Sequence, residues 1–75
     1  MKATLYKTPT CPYCSKALDL LRLRGAEVDV VDVTSSPEKM VEMISKSRGM
    51  KVPVIEINGE VIVGFDRLEE KYGFQ

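Results

Sequence analysis

The sequence predicts a small α/β domain in the order βαβαββα, a four-stranded mixed sheet with helices on both faces. Three observations carry this prediction. Two amphipathic stretches, each opened by a proline and closed near a glycine, alternate with runs rich in β-branched residues. Asn58-Gly59 lies between two such runs, the strongest short hairpin signal a sequence carries. Cys11 and Cys14 stand where the first strand gives way to the first helix.

In chain order, Lys2 to Lys7 alternates weakly, with Ala3 and Leu5 on one face and Thr4 and Tyr6 on the other, and reads as a first strand. Thr8-Pro9-Thr10 is a turn. From Pro12 to Arg24 the pattern is helical and Gly25 is its stop. The apolar stripe is Cys14, Ala17, Leu18 and Leu21, at i, i+3, i+4 and i+7. Val28 to Val33 reads as a second strand, parallel to the first through a right-handed crossover. Ser36 as N-cap and Pro37 at the first helical position open a second helix. Its buried face is Met40, Val41, Met43 and Ile44, and Gly49 ends it. Val54 to Ile57 and Glu60 to Val63 form the hairpin, with Ile57 opposite Glu60, Ile55 opposite Ile62 and Val54 opposite Val63. Asp66-x-x-Glu69 matches a capping box opening a last helix with Leu68 and Tyr72 on one face.

The chain has 75 residues, 44% of them hydrophobic and 29% charged, and shows no repeat, linker or low-complexity segment. One domain over residues 1–75 is expected, with a thin core margin at this size. Eleven basic residues balance eleven acidic ones. That balance argues against a nucleic-acid partner and against an anionic membrane surface. No apolar run approaches the roughly 20 residues that span a bilayer, and the N-terminus lacks a signal-peptide pattern. A cytoplasmic location is expected. Two cysteines are too few for a disulfide scaffold. With no histidine in the chain, Cys-His catalysis and histidine-containing zinc sites are excluded.

Pro12 suits the first position of its helix, which places Cys11 at the N-cap. There its sulfur accepts otherwise unpaired N–H groups and meets the positive end of the helix dipole. Both effects favour the thiolate, so Cys11 is the expected nucleophile. Cys14 lies one turn on, in the buried stripe, and is the expected resolving thiol. Together they suit a two-step exchange: attack by Cys11 on a disulfide, then attack by Cys14 on the mixed disulfide. A lone C-x-x-C is also half of a zinc ribbon, but one chain lacks the second pair. Met40, Met43 and Met50 read as core or surface residues, not as a metal box.

On Cys11-Pro12-Tyr13-Cys14, then Val52-Pro53 after the second helix, then Gly64-Phe65-Asp66 after the hairpin, the chain resembles the glutaredoxins of the thioredoxin-fold superfamily. The resemblance covers essentially all 75 residues and is similar to short bacterial and archaeal glutaredoxin-like proteins. Gly64-Phe65 also resembles the glutaredoxin-like electron donors of ribonucleotide reductase, which thioredoxin reductase recharges. The resemblance implies a minimal thioredoxin fold, electron transport in cell redox homeostasis, and no bound cofactor, with glutathione as co-substrate. It implies a cis Val52–Pro53 bond facing the cysteines, with which the residues are compatible, since Pro53 lacks a ladder N–H and suits the first position of its strand; the alternative is a trans proline opening an edge strand. It implies that the Val52 backbone pairs with the substrate peptide, and that Phe65 N–H and the Asp66 carboxylate hold the γ-glutamyl end of glutathione. The residues alone make Asp66 an N-cap. They make Gly64 either a positive-φ position or a simple turn, and Tyr13 either a cover for the tripeptide or a surface aromatic.

Three positions depart from the family pattern. The usual lysine three residues before the first cysteine is Thr8, with Lys7 one residue further back. The usual threonine before Val-Pro is Lys51, either a charge for glutathione or a solvated side chain. The usual double glycine is Val63-Gly64. The expected function is a glutathione-linked oxidoreductase of protein disulfides and glutathione mixed disulfides. Lys7, Tyr13, Lys51, Val52, Gly64, Phe65 and Asp66 form its binding site, with Pro12, Tyr13 and Pro53 supporting the dithiol. One alternative keeps the chemistry but draws electrons from thioredoxin reductase. The other is not an enzyme: two chains share an iron–sulfur cluster or metal, although Cys14 competes for the Cys11 sulfur. A monomer is expected.

Overall fold

The computed structural model describes residues 1–73. Its elements are β1 (Lys2–Lys7), α1 (Pro12–Leu23), β2 (Glu27–Asp32), α2 (Pro37–Ser47), β3 (Val54–Ile57), β4 (Glu60–Val63) and α3 (Phe65–Tyr72). The sheet order is β2-β1-β3-β4. β1 pairs parallel with β2 from Lys2↔Glu27 to Lys7↔Asp32. It pairs antiparallel with β3 from Ala3↔Ile57 to Tyr6↔Val54. The fold is the small thioredoxin-like α/β domain that the sequence predicts.

Side-chain alternation along the central strands builds two cores, one on each face of the sheet. Ala3, Leu5, Ile55, Ile57 and Ile62 face α1 and α3, where Ala17, Leu21 and Leu68 complete the larger cluster. Tyr6, Val54 and Val33 face the other way and pack with Met43 of α2. Leu5, Leu21, Met43, Ile55 and Leu68 have no exposed surface. Burying each such side chain is worth about 1.5–3 kcal/mol.

The hairpin has the expected register, Val54↔Val63 through Ile57↔Glu60. Asn58 at φ 54° and Gly59 at φ 76° make the two left-handed residues of its turn. The tip lies at the start of β1, beside Met1, and so at the end of the sheet opposite Cys11. Ser36 caps α2, its hydroxyl accepting from Lys39 N–H at 3.3 Å. Arg24 joins the C-terminal ends of two helices by donating to the carbonyls of Tyr72 and Gly73.

Four details differ from the sequence reading. β2 begins and ends one residue earlier, because Val33 leaves the ladder to bury its side chain, while its N–H still reaches Lys7 O at 3.0 Å. α2 is closed not by Gly49 but by Arg48, which itself adopts the left-handed conformation at φ 61°. Val41 is 64% exposed and does not belong to the α2 core face. Met40 and Met43 occupy that face, and a residue next in sequence to Met40 is turned about 100° away from it. Asp66 does not cap α3: Gly64 is the N-cap, no side chain bonds the first turn, and Asp66 is already inside the helix. The chain turns two residues before the capping-box pattern begins because Gly64 supplies φ 94°.

Candidate active site

Cys11 is the N-cap residue of α1 and Pro12 its first helical residue. The Cys11 sulfur accepts from Cys14 N–H at 3.1 Å, and Cys11 N–H reaches back to Thr8 O at 3.4 Å. The first turn of α1 carries no acidic residue, so nothing there opposes negative charge on the sulfur. The two cysteines are joined as a disulfide, with their Cα atoms 5.3 Å apart. Cys14 is 2% exposed and packed under the helix, whereas Cys11 is half-buried and its neighbours Pro12 and Tyr13 are exposed. An outer and an inner sulfur are thus held on one turn.

Tyr13, between the two cysteines, shares a groove with the loop of Lys51, Val52 and Pro53, whose Val52–Pro53 bond is cis. The Pro53 carbonyl accepts from Gly64 N–H at 2.8 Å. That single bond locks the start of β3 to the residue that launches α3. The open groove of about 800 Å³ has walls that include Tyr13, Lys51, Val52, Pro53, Gly64, Phe65 and Asp66. Tyr13 and Phe65 stand with ring centroids 6.1 Å apart, and Lys16 Nζ lies 5.3 Å above the Tyr13 ring. The structure therefore gathers these sequence-predicted residues along one surface.

Lys7 is elsewhere. It follows Tyr6, so strand alternation aims it at the α1 side of the sheet. It lines a separate small cleft with Thr8, Pro9, Cys11, Cys14 and Val30. Lys7 therefore borders the dithiol but not the groove that holds the other binding candidates. Sequence reasoning missed the far half of that groove: Glu60 and Val61 of β4 and Arg67, Glu70 and Lys71 of α3. Lys71 forms an ion pair with Glu60 across it, and this pairing raises the Lys71 pKa. The signal lay in the hairpin register, which makes β4 an edge strand with α3 folded back beside it.

A second missed feature stands behind the site. The Tyr6 hydroxyl donates to Glu42 at 2.5 Å and accepts from Lys46 at 3.1 Å, while Lys46 pairs with Glu56 at 2.7 Å. Burial, then the Glu42 carboxylate, raise the Tyr6 pKa. The bond from Tyr6 lowers that of Glu42, and Glu56 raises that of Lys46. At the end of β2, Thr34 donates to the Asp32 carboxylate and lowers its pKa.

The sequence model of the Glutaredoxin family matches residues 3–62. The chain is 40% identical over 65 residues to a glutaredoxin-like 8.6 kDa protein in the rubredoxin operon of Clostridium pasteurianum, covering 87% of each. It is 36% identical over 64 residues to glutaredoxin 3 of Escherichia coli K12, covering 85% of this chain and 77% of that protein. The solution structure of glutaredoxin from Brucella melitensis superposes with a TM-score of 0.75 at 35% identity. That match covers 97% of this chain and 82% of the other. The family match, the shared fold and the paired cysteines at the head of α1 agree: the chain belongs to the glutaredoxin family of thiol–disulfide oxidoreductases.

Proposed function

We propose that this protein reduces protein disulfides and glutathione mixed disulfides, drawing its electrons from glutathione. The observation that carries the reading is the union of two parts. An outer N-cap Cys11 and an inner Cys14 lie next to a groove walled by Tyr13, Val52, Gly64, Phe65 and Asp66. The Cys11 thiolate attacks one sulfur of a substrate disulfide, forming a mixed disulfide and expelling the other sulfur as a thiolate that takes up a proton. Cys14, as thiolate, then attacks the Cys11 sulfur. The second substrate thiolate leaves and takes up a proton, and the Cys11–Cys14 disulfide carries the two electrons' worth of oxidation. Two glutathione molecules restore the dithiol and leave as glutathione disulfide.

In this reading Val52 offers backbone groups to the tripeptide, and Phe65 and Asp66, in the first turn of α3, meet its γ-glutamyl end. Pro12 and Pro53 shape the dithiol's surroundings, and Lys51 adds positive charge at the mouth. The site acts as a monomer in a reducing, cytoplasmic setting.

A second reading has thioredoxin reductase as the electron source. It is favoured by Thr8 and Lys51 at positions where the family pattern has other residues, and by Lys7 lying outside the groove. Recycling of the oxidised protein by NADPH separates the two. One arm supplies glutathione and glutathione reductase, the other thioredoxin reductase alone. Turnover in the first arm only is the expected result, and turnover in the second arm only would transfer the reading to a thioredoxin-like donor. Cys14→Ser is expected to lose reduction of protein disulfides while retaining deglutathionylation. Loss of both activities would contradict the assigned division between the two thiols.

A further inference from the structure

The two edges of the sheet are built differently. β2 carries Glu27, Asp29 and Asp32, charges of the kind that keep a foreign strand from pairing. β4 has one charge, Glu60 at its start, followed by Val61, Ile62 and Val63. The Gly64 N–H bond to Pro53 O makes those two residues a hydrogen-bonded pair. Bonded and non-bonded pairs alternate along an antiparallel ladder. Ile55/Ile62 and Ile57/Glu60 are then bonded pairs, while Val54/Val63 and Glu56/Val61 are not. The backbone N–H and C=O groups of Val61 and Val63 therefore point away from β3. Among the described residues none of the four joins another backbone group outside the sheet.

All of β4 lines the groove described above, which begins at Tyr13, Val52 and Pro53 and extends to the Glu60–Lys71 pair. The tripeptide site proposed above takes the Gly64 end and leaves Val61 and Glu60 beyond it. We propose that the free edge of β4 is a docking strand on which an extended segment of a disulfide-containing protein substrate adds as a fifth strand, leading its cysteine to Cys11. This rests on the oxidoreductase reading and specifies how the larger substrates of that reaction are held. Continuity with the dithiol mouth selects this occupant, because the groove along β4 continues past Gly64 to Phe65, whose ring stands 6.1 Å from that of Tyr13 between the two cysteines. Main-chain bonds supply the attraction and alternate side chains the selectivity. Val61 and Val63 point to the α2 side, so the matching residues are β-branched or aromatic. The groove presents charges of both signs at Lys51, Asp66, Arg67 and Glu70, which form no ion pairs among the described residues. An extended segment of low net charge fits it.

The test traps the Cys14→Ser variant through Cys11 in two mixed disulfides, one with a ten-residue Val- and Thr-rich peptide containing one cysteine, the other with glutathione. Amide hydrogen exchange is then read at Val61 and Val63. Slowing of both amides by tenfold or more in the peptide adduct, and not in the glutathione adduct, is the expected result. Equal exchange in the two adducts overturns the proposal. Val61→Pro removes one outward N–H without touching the ladder to β3, and Val61→Lys places a strand-repelling charge on the edge. For both variants, the rate on the peptide disulfide relative to that on bis(2-hydroxyethyl) disulfide is expected to fall about tenfold; an unchanged ratio overturns the proposal. Protection of these amides in the unliganded wild type, growing with protein concentration, would assign the edge to a second copy of the chain and also overturn it. If neither adduct forms, the oxidoreductase reading falls instead. A cysteine-to-serine form of the same peptide, titrated without any disulfide, then reads the edge through the same two amides.

Discussion

Tyr6 is fully buried, yet its hydroxyl is shared between Glu42 and Lys46 at the rim of the α2 face. Tyr6→Phe removes that link and is expected to cost about 1 kcal/mol at neutral pH, read by urea unfolding. The Glu42 carboxyl is held below its ordinary 4.5 by the Tyr6 hydrogen bond. Its contribution is therefore present above pH 4.5 and is lost as pH falls through the lowered value. Tyr6 itself is pushed above 10.0 by burial, so its contribution is lost as pH rises past 10 through the raised value. The stability gap between wild type and Tyr6→Phe should thus be widest between these limits and narrow at both ends. A gap independent of pH would mean that the hydroxyl's worth does not depend on the ionisation of Glu42 or of Tyr6 itself. Gly64→Ala tests another single position. No atom crowds a Cβ there, but φ 94° with ψ 147° is glycine's own region. Strain of about 1–3 kcal/mol is expected, together with slower turnover, since Gly64 also holds the Pro53 carbonyl. At this scale Cys11 was legible because Pro12 fixes the cap. Lys7 lines the cleft of Cys11 and Cys14 and not the groove, a separation that nearness along the chain does not reveal.

Among the elements, α3 depends most on its surroundings. Eight residues are too few for an isolated helix, so Leu68, with no exposed surface, is its anchor in the sheet. Leu68→Ala is expected to cost about 2–5 kcal/mol and to loosen Phe65 and Asp66 together, visible as a lower melting temperature and, on the proposed glutathione reading, a raised KM for glutathione. α2 offers the opposite outcome. Arg48 closes it in a left-handed conformation that costs a non-glycine residue about 1–2 kcal/mol. Arg48→Gly should therefore raise the urea midpoint, by part of that amount after the added freedom of the unfolded chain is counted. A lowered midpoint would show that the arginine side chain contributes more than its backbone costs. The hairpin was readable to the residue because Asn58-Gly59 admits one turn and so one register. The α3 start was not, because Asp66-x-x-Glu69 is a valid cap pattern in isolation and only Gly64's backbone shows that the helix has already begun.

Both cores of the whole molecule rest on the same four strands, so neither persists without the other. Leu21→Ala on the α1 side and Met43→Ala on the α2 side should each shift the entire transition. Unfolding curves from circular dichroism and tyrosine fluorescence should remain superimposed in both variants. Separated curves would indicate two units where one is expected. The overall architecture was legible because helix and strand periods alternate cleanly and one parallel crossover leaves few topologies. The extent of the groove was not, since it arises from the folding of α3 back along β4. The sheet also has two unlike ends. The hairpin tip at Asn58 and Gly59 is exposed and stands a full β1 strand, about 20 Å, from the thiols. A dye, an electrode linker or an inserted peptide attached at that tip would leave the reacting end facing outward, so the molecule comes with a natural point of attachment for work on oriented surfaces.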